Sequence, residues 1–99
     1  MSKSMLRKSD ALELVSKNLE EKSSEAVQYV VVEELTIEKP WGWIFFYQSK
    51  KYLETGIFTH RLAGNGPVFV NKETGEMNFF GGVPSLGVIL ADYEKRLRE

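Results

Sequence analysis

Leu12, Val15 and Leu19 recur at spacings of three and four, which places one apolar stripe on a helix spanning roughly residues 10–21. Ser9-Asp10 offers the N-cap, since a short oxygen-bearing side chain can accept an amide proton that a helix start leaves unpaired. Lys22-Ser23-Ser24-Glu25 breaks the period and predicts a loop. The period then changes to two. Val27, Tyr29, Val31, Leu35 and Ile37 share one parity, and Gln28, Glu34, Thr36 and Glu38 the other. Ala26 to Ile37 therefore predicts a long strand with one buried and one mostly wet face. Glu33 interrupts the apolar parity, so a bulge or twist is expected near Glu33-Glu34. Pro40 cannot donate to a ladder and ends this strand in the turn Glu38-Lys39-Pro40.

Trp41 to Tyr47 is the strongest strand in the chain. Trp41, Trp43, Phe45 and Tyr47 fall on one face, with Ile44 and Phe46 on the other. Apolar side chains on both faces indicate a central strand covered at least partly from both sides. Ser49 to Gly56 is polar and holds one helical turn ending at Gly56, and Ala63-Gly64-Asn65-Gly66-Pro67 makes a tight turn. Ile57 to Arg61 carries no clear pattern. Val68-Phe69-Val70 and Met77-Asn78-Phe79-Phe80 bracket a hairpin loop in which Gly75 is the left-handed residue. Ser85 is a good N-cap for a last helix whose face is Leu86, Ile89, Leu90, Tyr93 and Leu97. The expected fold is α+β: an antiparallel sheet of about four strands with an N-terminal and a C-terminal helix packed on one face. Residues 1–99 are expected to form a single domain, with 1–8 a flexible N-terminal end.

Composition narrows the function. With 42% hydrophobic and 27% charged residues the chain is an ordinary globular one, not a disordered one. It has no cysteine, so disulfides and thiolate metal sites are ruled out, in keeping with a reducing, cytoplasmic setting. No apolar run approaches the roughly 20 residues that span a membrane, and the basic start leads into an amphipathic pattern, not a secretory signal. Thirteen Lys and Arg stand against fourteen Asp and Glu, which lacks the basic excess of a nucleic-acid binder. Between Glu20 and Glu38 there are six acids and a single base, Lys22. Such a surface repels phosphate and suits a basic protein partner; the alternative is a solvated strand edge whose charges prevent aggregation. An exposed edge over Val27–Glu38 leaves the chain a monomer or a weak homodimer.

No convergent catalytic set is legible. His60 is the one histidine and is expected to be a solvated loop residue, with pairing to Asp92 the weaker alternative. No cofactor or metal is expected, because one histidine and scattered carboxylates match no ligand pattern. Gly64-Asn65-Gly66 is followed by Pro67 instead of a helix start, so it is a structural turn and not a phosphate cradle. The aromatic strand is expected in the core, with Trp41 at its start left exposed as a binding anchor.

Lys39-Pro40-Trp41-Gly42-Trp43 followed by Phe45-Phe46-Tyr47 resembles the first half of the bacterial YrhB-type immunity protein 35 domain. Tyr52-Leu53-Glu54-Thr55-Gly56, Arg61 to Pro67, Lys72-Glu73-Thr74-Gly75-Glu76 and the ending Leu86…Tyr93-Glu94 resemble its second half in order and spacing. Two places depart from the family's pattern: Ile57 stands where an acid often follows, and Phe79-Phe80-Gly81-Gly82-Val83 replaces a more polar run. Adjacent phenylalanines on a strand point to opposite faces, which leaves one of the two available to a partner. The resemblance implies a non-enzymatic, cytoplasmic antitoxin that binds and blocks a cognate protein toxin, with a general chaperone or adaptor as the alternative. The candidate partner-binding residues are Glu33, Glu34, Glu38, Trp41, Tyr52, Glu54, His60, Arg61 and Asn65.

Overall fold

The computed structural model describes residues 6–57, 65–81 and 85–98. Its elements are α1 (Lys8–Lys22), β1 (Tyr29–Val31), a 3-10 turn (Glu33–Leu35), β2 (Ile37–Lys39), β3 (Gly42–Phe45) and β4 (Tyr47–Ser49). These are followed by α2 (Lys50–Thr55), β5 (Asn65–Asn71), β6 (Met77–Gly81) and α3 (Leu86–Leu97). Among the described residues no helix is long and apolar enough to cross a membrane.

Helix α1 starts earlier than the sequence predicts. Arg7, not Ser9, occupies the cap position, and its backbone N–H donates to the Asp10 carboxylate at 3.0 Å. Asp10 thus works from inside the first turn, where a negative charge also suits the helix dipole. Ahead of the helix, Leu6 N–H donates to the Lys72 carbonyl at 2.8 Å; residues 1–5 of the end expected to be flexible over 1–8 lie outside the described residues.

The strand predicted over 26–37 is divided by the 3-10 turn, and its partner strand is divided at Phe46. The two halves still form one long antiparallel hairpin, since Val31 lies opposite Tyr47 and Ile37 opposite Ile44. Residues 32–36 therefore stand against residues 45–46 alone, an outsized bulge at the position where Glu33 breaks the apolar parity. The turn carries Glu33 and Glu34 into solvent, which a regular strand would have allowed for only one of them. Beyond it, β2-β3-β5-β6 form a four-stranded antiparallel sheet, and β1-β4 a two-stranded one.

The α+β class and the four-stranded antiparallel sheet are as the sequence predicts, but the terminal helices do not share a face. Ala11, Val15 and Leu19 of α1 pack on Trp43, Phe45, Val68 and Val70, while Ile89 and Tyr93 of α3 pack on Ile44 and Phe69. These two sets have opposite parity along β3 and β5, so α1 and α3 cover opposite faces of the sheet. The reason lies in β3, where all four residues are buried: apolar side chains of both parities need cover on both sides. Burying Phe45 and Phe69, one on each face, contributes about 1.5–3 kcal/mol apiece. Gly42 lets the two central strands meet, because a Cβ there would collide with the Val70 carbonyl.

Several turns follow the sequence, but of the tight turn expected over Ala63 to Pro67, residues 65–67 open β5 instead and Ala63 and Gly64 lie outside the described residues. Helix α2 ends at Gly56 with φ 70°, and Ser49 caps its start by accepting the Tyr52 N–H at 3.2 Å. Gly75 has φ 76° in the β5–β6 hairpin, as expected. Ser85 caps α3 by accepting the Val88 N–H at 3.4 Å.

Candidate functional site

Where α1 hands over to β1, Ser23 acts as a clasp. Its Oγ donates to the Leu19 carbonyl at 2.8 Å and accepts the Tyr29 N–H at 2.9 Å. Ser24 adds a tight turn, its N–H donating to the Val27 carbonyl at 2.8 Å and its Oγ accepting the Val27 N–H at 3.2 Å. The strand is thereby held beside the helix, with an open groove of about 880 Å³ along the pair. Leu12, Tyr29 and Val31 supply its apolar wall. Its charged rim is Glu20, Glu25 and Glu33 against Lys50.

The groove runs along an open strand edge. Val32 N–H donates to the Phe46 carbonyl and Lys50 N–H to the Gln28 carbonyl, both at 2.8 Å, so the even-numbered residues of this strand bond across to β4. The main-chain groups of Tyr29 and Val31 consequently point away from β4. Ser23 takes the Tyr29 N–H, and among the described residues the Tyr29 carbonyl and both Val31 groups have no hydrogen-bond partner.

The rim keeps an acidic excess, although Lys50 stands on it and Lys17 lies near Glu20 on α1. Lys22, the one base between Glu20 and Glu38, lays its ammonium over the Phe79 ring at 3.4 Å from the centroid. The one ion pair among the described residues, Arg96 with Asp92 at 2.9 Å, lies on α3. That pairing also occupies the carboxylate considered for His60, which lies outside the described residues.

The sequence-predicted binding residues divide into three groups. Glu33 stands on the groove rim with Glu34 exposed beside it, and Glu54 shares a shallow depression with Glu25, Gln28 and Lys50 that adjoins the groove. Glu38 is exposed on the edge strand β2, and Tyr52 is half-buried on α2. Trp41, expected to be an exposed anchor, is half-buried on the α3 side, where Nε1 donates to Glu94 Oε2 at 3.0 Å. It turns inward because Phe69 and Tyr93 offer ring faces 5.3 and 4.7 Å away. His60 and Arg61 lie outside the described residues; Asn65 opens β5 opposite Gly81, and its side chain likewise falls outside them. Phe79 and Phe80 do point to opposite faces, but each is half-buried against its own cluster. Sequence reasoning missed Tyr29 and Val31: alternation marks them as strand residues, and only the pairing shows that their edge is open.

Two phenols that do not line the groove are perturbed. Burial pushes Tyr47 up, with Tyr29 adding to the effect. Burial also pushes Tyr93 up, against an opposing hydrogen bond from the Asn71 side chain and with a further rise from Glu76. Among the described residues no three His, Cys, Asp or Glu side chains assemble as a metal site.

The class defined by these features is a small α+β domain with an antiparallel sheet between two helices and an acidic groove at one end. The profile of the family described as Immunity protein 35 matches residues 9–96, and the chain belongs to that family. A relative from Escherichia coli strain K12, described as uncharacterized protein YrhB, is 42% identical over 53 residues. The matched part is 54% of this chain and 56% of that relative, little more than half of either. No solved structure matches the chain.

Proposed function

We propose that this chain is an immunity protein that binds a cognate bacterial protein toxin and neutralises it, acting in the cytoplasm without catalysis of its own. The observation that carries this reading is membership of the Immunity protein 35 family across residues 9–96. The acidic groove supports it, because a concentrated negative rim speeds encounter with a basic partner and repels wrong ones. Nucleic acid is disfavoured as a partner by the same charge.

Co-expression tests the reading directly. Cells producing a toxin domain encoded beside this chain should grow when the chain is present and stop when it is absent, and the purified pair should elute in a fixed ratio. Failure to protect against every neighbouring toxin would sink the proposal. A chaperone-like role would show as suppressed aggregation of unrelated proteins. The exposed large apolar residues give that alternative little support, being spread over α1 (Leu14), the 3-10 turn (Leu35), α2 and its exit (Leu53, Ile57) and α3 (Val88, Leu97).

A further inference from the structure

We infer that the outer edge of β1 receives an extended, basic segment of the partner protein as an added strand lying in the groove beside α1; this rests on the binding role proposed above.

Three observations converge on that edge. The first is the hydrogen-bonding capacity of the Tyr29 carbonyl and of the Val31 N–H and C=O, all directed away from β4. A residue placed opposite Val31 in antiparallel register exchanges both bonds with it, and a third bond falls to Tyr29. The second is space. The groove lies along this edge and has apolar walls on which alternate side chains of an added strand can rest. The third is charge. Glu20, Glu25 and Glu33 outnumber Lys50 on the rim, and Lys22 is engaged over Phe79, so lysine or arginine side chains of the incoming strand meet carboxylates. Charge also argues against a second copy of this chain as the occupant: edge-to-edge pairing of two β1 strands would bring both acidic rims together. A nucleic acid meets the same repulsion and lacks the strand backbone that the edge reads.

The test uses the full ¹⁵N-labelled chain and a capped heptapeptide of alternating lysine and valine, with a glutamate–valine peptide and a backbone N-methylated lysine–valine peptide as controls. The expected result is amide shifts centred on Tyr29 to Val31 and slowed hydrogen exchange of the Val31 amide. Glu20→Lys combined with Glu33→Lys should weaken the basic peptide about tenfold, with loss growing at low salt. Val31→Pro deletes an N–H that has no partner among the described residues and also trims a side chain packed on the α1-side cluster, so it should abolish the shifts at a modest cost in melting temperature. Equal binding of the acidic peptide, or shifts centred elsewhere, would overturn the proposal. Should Val31→Pro fail to fold, the N-methylated peptide decides, since unchanged affinity also overturns it. The toxin assay separates the two readings. Variants that lose the peptide yet protect cells fully show that the groove is not the toxin site, while absent protection by the unaltered chain removes the immunity role and leaves the peptide result standing.

Discussion

Trp41 and Glu94 meet across 53 residues of chain, the indole Nε1 donating to the carboxylate at 3.0 Å. The contact fastens the entry of β3 to α3, and the indole packs with Phe69 and Tyr93 in a cluster of three mutually touching rings on the same side of the sheet. Trp41→Phe keeps most of the packing but strands the acceptor, and should cost about 1 kcal/mol in urea unfolding. Trp41→Ala removes the ring as well and should cost about 3 kcal/mol. Partner affinity should be unchanged in Trp41→Phe, because the residue is on the face away from the groove; a large loss of binding would restore Trp41 as an anchor.

Glycine positions give opposite signs. Gly42→Ala forces a methyl into the Val70 carbonyl, and Gly66→Ala does the same to the carbonyls of Phe80 and Gly81. Each should destabilise by about 3 kcal/mol or more, since the obstacle is the backbone of a neighbouring strand. Gly87 lies within α3 with open space where its Cβ would be. Gly87→Ala should stabilise by about 1 kcal/mol, raising the melting temperature by about 4–8 °C.

Ser23→Ala removes a hydroxyl that bridges the Leu19 carbonyl and the Tyr29 N–H. The expected cost is about 1–2 kcal/mol, with faster hydrogen exchange at the Tyr29 amide than at the amides of β5. Uniform acceleration across the chain would instead indicate a global effect with no local clasp.

Alkaline pH should weaken the fold through Tyr47 and Tyr93. Both phenols are held above the ordinary value of 10.0, chiefly by burial, so the folded state retains protons that the unfolded chain has released. Below pH 10 both states keep the phenols neutral and this contribution is fully present. As pH rises from there through the folded-state values it is lost. Ultraviolet titration of phenolate absorbance should show late-ionising tyrosines, and their lag should vanish in denaturant.

Much of this architecture was readable before any coordinates. Gly56, Gly75 and Ser85 announced their turns and cap because each has a local stereochemical reason to be there. The break at Glu33-Glu34 was visible as a parity fault, but its size was not, since nothing local shows that Val32 ends the ladder and Ile37 resumes it. Cover on both faces of β3 was legible in its apolar residues, but both terminal helices were expected on one face, because which face a helix covers depends on chain paths far apart in sequence. Glu33, singled out for its acidity, stands on the groove rim, whereas Trp41 looked like an exposed anchor because its acceptor, Glu94, lies far along the chain. The open edge of β1 was out of reach: main-chain groups look identical in every strand until the pairing is known.

The sheet separates two apolar compartments, and the split has a counterpart along the gene. Apart from Lys50, the groove is built from residues 12–33, while the compartment under α3 draws on Ile37 and residues beyond it. A recombination joint near Thr36 would therefore exchange one groove for another and leave the α3-side packing intact. The first third of the chain carries both the groove and the α1 side chains Ala11, Val15 and Leu19 that cover one face of the sheet, so such an exchange must keep those three positions apolar.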